Sequence, residues 1–290
     1  MRTLWLIVLG ALTLILDSPG RAASILFVGN SFTFGELSDV KHYRPDTVHD
    51  LNGDGIGGVP ALFKSFTVQA HLDYEVSLET APGKNFDYHV QHEAAVLNRA
   101  WDHVLLQGYS TLNEHKPGDP AVLIDYAGRL AGMFLAKNPN VDIRLVSTWS
   151  RADQTYLRSG HWYGKPIDAM AHDVRVAYDQ AAATSPAIHS VIPVGQAWNR
   201  AIASHLATAN PYVAVPKGQI DLWATDHYHG STYGYYLEAL VIFGNVTGRD
   251  PRSLGSREQS AAALGIEPSL AGKLQQVAAE TLATEKSNNP

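Results

Sequence analysis

The chain has 290 residues, no cysteine, 45% hydrophobic and 17% charged residues and a net charge of -6. That length supplies a sizeable core, and the composition is that of a folded globular chain. The acidic balance gives no electrostatic reason to expect nucleic acid as a partner, and the missing cysteines exclude disulfides, thiolate nucleophiles and cysteine-ligated metals.

Residues 1 to 22 read as a signal peptide. Arg2 precedes an apolar run from Leu4 to Leu16, the Pro19-Gly20 pair breaks any helix, and cleavage after Ala22 puts Gly20 and Ala22 at the two small-residue positions, with an uncleaved N-terminal anchor as the alternative. The run is short for a membrane span, which needs roughly 20 residues. The expectation is a secreted or periplasmic product with no stable membrane insertion after processing, and a single domain over residues 23 to 290.

The mature chain opens on "ILFVGNSFTFG" (25 to 35), a short apolar strand ending in Gly-Asn-Ser. Residues 35 to 58 read as a long polar loop. A helix is expected from near Pro60, a strand over 73–81, a helix over 88–100 and a strand over 102–108. Asp119 and Pro120 then look like the N-cap and first residue of a helix that stops before Asn138-Pro139. "VDIRLVSTW" reads as a strand, "PIDAMAHDVRVAYDQAAATS" as a helix, "AIHSVIPV" as a strand and "GQAWNRAIASHLATA" as a helix. An apolar helix covers 230–248, and one or two amphipathic helices finish the chain. This alternation predicts one α/β domain, a mostly parallel sheet of about five strands with helices on both faces. In such folds the ligand site lies beyond the carboxyl ends of the strands. That puts weight on Asn30 and Ser31, residues 82–85, 107–110 and 148–151.

Ser31 stands directly after the first strand. A serine hydroxyl is a poor nucleophile until a base sits within hydrogen-bond reach and an acid orients that base. There are 13 histidines, so one His alone decides nothing. "WATDHYHGSTYG" is better placed than the rest, because a turn can bring the carboxylate of Asp226 to His229, three residues on. The alternative is that Asp226 only caps the turn.

Taken together, Gly-Asn-Ser after the first strand and Asp226-x-x-His229 before an apolar C-terminal helix resemble the SGNH hydrolase superfamily, the GDSL-type esterases, and in particular a subgroup opening with "GNSFT". The resemblance spans roughly Ile25 to Gly248. It implies a flavodoxin-like three-layer fold, Ser31 as nucleophile, His229 as base and Asp226 as the orienting acid. It further implies an oxyanion hole, drawn from the Ser31 N–H, from Gly83 in "ETAPGKNF" and from a residue after the next strand. The family's Gly-x-Asn-Asp element is absent there, and Gln107 in "WDHVLLQGYSTL" is assigned its place. Bracing a loop is the alternative role for Gln107.

"HDLNGDGIGG" (49 to 58) matches the start of a calcium loop, but Ala61 stands where the last ligand should be. A glycine-rich loop is the competing reading. His227 and His229 form a His-x-His pair, yet Gly-Asn-Ser supplies no metal ligands, so no metal and no cofactor are expected. In "STWSRADQTYLRSGHWYG", the residues Trp149, Arg151, Trp162 and Tyr163 are assigned to a candidate substrate cleft, with core packing as the alternative. Aromatic walls suit sugar rings. The functional expectation is therefore an exported serine esterase acting on a small-molecule or carbohydrate ester, with O-acetyl groups as candidate substrates. A glycan-binding protein on the same fold and a metal-dependent phosphoesterase are the alternatives.

Overall fold

The computed structural model describes residues 21–288; the expected signal peptide falls almost wholly outside these residues. Six strands form one sheet: β1 (Ala23–Gly29), β2 (His49–Asp50), β3 (Tyr74–Thr80), β4 (His103–Leu106), β5 (Asp142–Ser147) and β6 (Ile188–Pro193). Their order is β2-β3-β1-β4-β5-β6, and every pair is parallel. The helices are α1 (Ser31–Phe34), α2 (Gly58–Gln69), α3 (Phe86–His92), α4 (Ala94–Leu97), α5 (Ala121–Leu135), α6 (Ala152–Tyr156), α7 (Ala169–Ala182), α8 (Val194–Ala203), α9 (Thr232–Thr247), α10 (Gln259–Ala263) and α11 (Pro268–Asn288).

Side chains of a strand point alternately to its two faces, so a strand buried on both sides must be apolar throughout. β1 meets this demand. Ile25 and Phe27 enter one core with α2, α8, α9 and α11, while Leu26 and Val28 enter the other with α3, α5 and α7. The central strand is thus enclosed between helical layers. Its carboxyl end at Gly29 is where the chain leaves the sheet.

The structure has one strand more than the expected five. β2 is two residues long and polar, so no periodicity announces it. It forms because Asp50 and its loop are tied down. The Asp50 carboxylate accepts N–H bonds from Asn52 and Ile56, Leu51 N–H donates to Leu78, and the Asn52 side-chain oxygen accepts from Thr80 N–H. The expected helix over 88–100 is divided into α3 and α4 at Glu93. The helix α5 begins one residue later than expected, at Ala121, so that Pro120 rather than Asp119 stands at the N-cap; Asp119 Oδ1 still accepts from Ala121 N–H at 3.0 Å in the preceding turn.

Candidate active site

The Gly-Asn-Ser turn is built by Asn30 and Gln107. Asn30 Oδ1 accepts from Phe32 N–H at 3.1 Å, which caps α1. Asn30 Nδ2 donates to Lys84 O and Gly108 O, at 3.0 and 3.1 Å, in the loops after β3 and β4. One side chain therefore locks three strand ends together. The turn also requires Gly29: a Cβ there would overlap the Thr33 hydroxyl and sit 3.0 Å from Gln107 Oε1. From behind, the Tyr235 phenol of α9 donates to Ser31 O and Glu36 O. Ser31 is consequently fixed at the carboxyl end of the central strand and is 5% exposed.

The second half of the site comes from the loop before α9. Asp226 Oδ2 lies 2.6 Å from His229 Nδ1, and Asp226 Oδ1 accepts from the N–H groups of Tyr228 and His229. Burial works to raise the Asp226 pKa. The bonds from His229 and the two amides outweigh it and hold the carboxyl below its ordinary range. The intervening His227 takes a left-handed conformation, φ +57°, to close the turn, and its carbonyl accepts from Ala152 N–H of α6. His229 Nε2 is buried and has no hydrogen-bond partner among the described residues. With Nδ1 held by the carboxylate, Nε2 is the ring nitrogen left open to exchange a proton with a neighbouring group.

The two halves meet through aromatic contacts. The His229 ring lies 5.6 Å from the ring of Phe32, the residue after Ser31, and 3.9 Å from that of Tyr228. The Ser31 hydroxyl is not donated to His229 Nε2 here. In ligand-free sites, catalytic hydrogen bonds are often long and tighten when substrate binds.

Of the expected oxyanion donors, Gly83 lies on the exposed turn after β3, at φ +66°, between Ala81, which bonds to Gly29, and Lys84, which bonds to Asn30. Gln107 is bound into the turn. It is 2% exposed, and its Oε1 accepts from Asn30 N–H at 3.2 Å and the Thr33 hydroxyl at 3.0 Å. A backbone N–H cannot exchange roles, so the amide is held one way round. Its Nε2 donates to Gly108 O. The carboxamide thus braces the turn with its oxygen and one of its two Nε2 N–H groups.

The expected cleft needs correction. Trp149 is fully buried, stacked between Phe32 (4.4 Å) and Trp198 (4.3 Å), and its indole N–H donates to Tyr228 O. Trp162 is buried with its indole N–H on Asp173. Both indoles meet a polar partner inside, which is what lets a Trp bury completely. Tyr163 is half exposed. Arg151 does reach the site: its guanidinium carbon sits 3.7 Å from the centre of the Tyr228 ring. Thr33, Tyr228 and Asp153 complete the arrangement without having been given roles from sequence. Thr33 stands two residues from Ser31 and Asp153 two from Arg151, and that short spacing is the only trace the chain carries of them. His229 Nδ1 is given to Asp226, and the His227 ring packs 4.3 Å from Tyr212. Among the described residues no cluster of three or more His, Asp or Glu side chains could hold a metal ion.

This three-layer parallel architecture is the fold of the SGNH hydrolases. More particularly, the chain is similar to a DUF4886 family protein from Bacteroides uniformis, with a TM-score of 0.60 at 17% identity over 90% of this chain and 95% of that one. It is similar to a GDSL-like lipase from Parabacteroides merdae at TM-score 0.52 and 16% identity, over 78% of this chain and 96% of the other. It is also similar to TesA at TM-score 0.50 and 13% identity, over 78% and 98%. These likenesses show the fold. No family model matches the chain, and no curated protein matches it.

Proposed function

We propose that the protein is an exported serine esterase that cleaves carboxylic esters through an acyl-enzyme on Ser31. The observation that carries this reading is the Asp226–His229 pair, whose buried and unpartnered Nε2 is brought to the Gly-Asn-Ser turn at the carboxyl end of β1. On this reading a serine from one segment, and a base and orienting acid from a second, act together at the place where parallel α/β sheets bind ligands.

In this mechanism Ser31 Oγ attacks the ester carbonyl carbon and passes its proton to His229 Nε2. Asp226 holds Nδ1–H, fixing the tautomer and stabilising the imidazolium. Collapse of the tetrahedral intermediate expels the alcohol, which leaves with the proton from Nε2–H. A water molecule then repeats the sequence on the acyl-enzyme.

The substrate class is proposed as acetyl esters of polar, hydroxyl-rich alcohols such as carbohydrates. A cavity of about 260 Å³ lies beside the Gly83 turn, walled by Lys84, Asn85, Tyr88, His92, Tyr109 and Glu114; Ser31, Asp226 and His229 are not among its lining residues. Mixed charges, amides and two phenol rings suit a neutral polyol better than an alkyl chain. Export rests on the apolar N-terminal segment. Among the described residues no helix is long and apolar enough to cross a membrane.

A fluorophosphonate probe tests the reading. Labelling of the mature protein, mapped by peptide mass to Ser31 and abolished in His229→Ala, is expected. An unlabelled protein would favour a binding role on the same fold.

A further inference from the structure

Asp226 holds the His229 side chain at one atom. The contact between Nδ1 and Asp226 Oδ2, 2.6 Å long, fixes that nitrogen but not the plane of the ring, since the torsion that turns an imidazole on its Cβ is broad. A ring free to pivot about Nδ1 would carry Nε2 in and out of line with the Gly-Asn-Ser turn. The face of Tyr228 sets the plane. The centroids of the Tyr228 and His229 rings lie 3.9 Å apart, with an angle of 32° between their planes. The guanidinium carbon of Arg151 lies 3.7 Å from the centre of the same phenol ring. At these separations each group sits over the ring rather than at its edge. One face has room for one planar group, so His229 and Arg151 take opposite faces of Tyr228.

The column is anchored along its length. Arg151 Nε and Nη2 make paired bonds to Asp153 at 3.0 and 2.8 Å, and Nη1 donates to the Ser110 hydroxyl at 3.3 Å. Such a fork holds the guanidinium plane in one orientation, which a single point charge would not do. Tyr228 N–H donates to Asp226 Oδ1 at 3.1 Å, and Tyr228 O accepts from the Trp149 indole at 3.2 Å. The Phe32 ring lies on a further side, 5.6 Å from His229 and 5.5 Å from Tyr228. The end of β5, α6 and the loop before α9 are thereby joined through one stack of planar groups.

We infer that Tyr228 and Arg151 are positioning residues for the ester hydrolysis proposed above, and the inference rests on that reading: in the column Arg151–Tyr228–His229 they fix the plane of the imidazole, so that Nε2 keeps one direction through the reaction. Neither residue touches the reacting atoms. His229 takes a proton from Ser31 Oγ and later returns it to the leaving alkoxide, and both transfers require the same ring orientation. The ring face of Tyr228 carries this role, and its hydroxyl does not.

The test measures kcat and KM for 4-nitrophenyl acetate in wild type, S31A, Y228L, Y228F and R151K, with circular dichroism and thermal unfolding as controls for the fold. Y228L stays apolar but presents no flat face, and Y228F keeps both faces. R151K keeps a cation for Asp153 without the plane that covers the ring. Y228L is expected to lower kcat by ~10²-fold with KM changed by less than about threefold, the effect of a displacement of about 1 Å. Y228F should return kcat to within about threefold of wild type, and R151K should lower it about tenfold. A folded Y228L with the wild-type kcat would overturn the inference. So would a Y228F as slow as Y228L, which would place the effect in the hydroxyl, or a raised KM with kcat unchanged, which would place it in substrate binding. R151K at the wild-type kcat would remove Arg151 from the role, and decides against the column if Y228L does not fold. If the wild type is no faster than S31A, the esterase reading fails and this inference with it; if the wild type is faster and the other variants match it, the inference alone fails.

Discussion

Replacing Asp226 by Asn changes one group and leaves the shape of the loop intact. The Asn oxygen can still accept the N–H bonds of Tyr228 and His229 that Asp226 Oδ1 now accepts. The amide nitrogen then falls where Oδ2 stands, 2.6 Å from His229 Nδ1. An amide donates there, so Nδ1 must accept and the ring proton moves to Nε2. In that tautomer Nε2 cannot take the proton from Ser31. The equivalent change in a Ser-His-Asp protease lowers kcat by ~10⁴, and at 1.36 kcal/mol per decade that raises the barrier by about 5.5 kcal/mol. Folding should suffer far less. One charge-assisted bond becomes a neutral one, for a loss of about 1–2 kcal/mol. The wild-type carboxyl has its pKa lowered on folding, so its contribution is fully present above the unfolded-state value and fades only as pH falls through the lowered folded one. At neutral pH the comparison is therefore between an intact pair and an inverted one. The assay is steady-state hydrolysis of 4-nitrophenyl acetate at pH 7.5, paired with thermal unfolding. A D226N enzyme within tenfold of wild type would refute the tautomer argument.

Two further substitutions test the scaffold. Gln107→Leu keeps the volume but strips the acceptor from Asn30 N–H and the Thr33 hydroxyl, costing about 2–4 kcal/mol for two buried unpaired donors; calorimetry should show a melting temperature lower by several degrees, and an unchanged one would show that the brace contributes nothing. Glu238 in α9 is fully buried, and burial alone pushes its carboxyl well above the ordinary range, with Oε2 unpartnered. A raised carboxyl pKa means the folded state binds more protons, so stability is lost as pH rises from the unfolded-state value toward the folded one. Glu238→Gln should therefore stabilise the protein more at pH 8 than at pH 4, and urea unfolding at the two pH values would reveal an equal or opposite effect.

Much of the fold was legible because its signals are local and repeated. β1 is apolar on both faces, and helices of period 3.6 alternate with such strands, so the parallel sheet and its ligand-binding end follow. β2 was not legible, because two polar residues carry no period and their pairing depends on Asn52 meeting Thr80 from another loop. The Asp226–His229 contact was readable because three residues in a turn suffice to make it. The fate of Gln107 was not, since it turns on Asn30 and Thr33, more than 70 residues away. Trp149 and Trp162 misled for a related reason: polar neighbours in sequence suggested a cleft wall, while partners distant in sequence allowed both rings to be buried. The placement of Arg151 over Tyr228 joins the end of β5 to the loop before α9, a contact that only the closed fold creates.

The central claim is that Ser31 is an ester-cleaving nucleophile. The most direct measurement is the rate of 4-nitrophenyl acetate hydrolysis by the mature protein against S31A, with both folds verified by circular dichroism. The account predicts turnover in the wild type and only the uncatalysed background in S31A. Equal rates in the two proteins would contradict it.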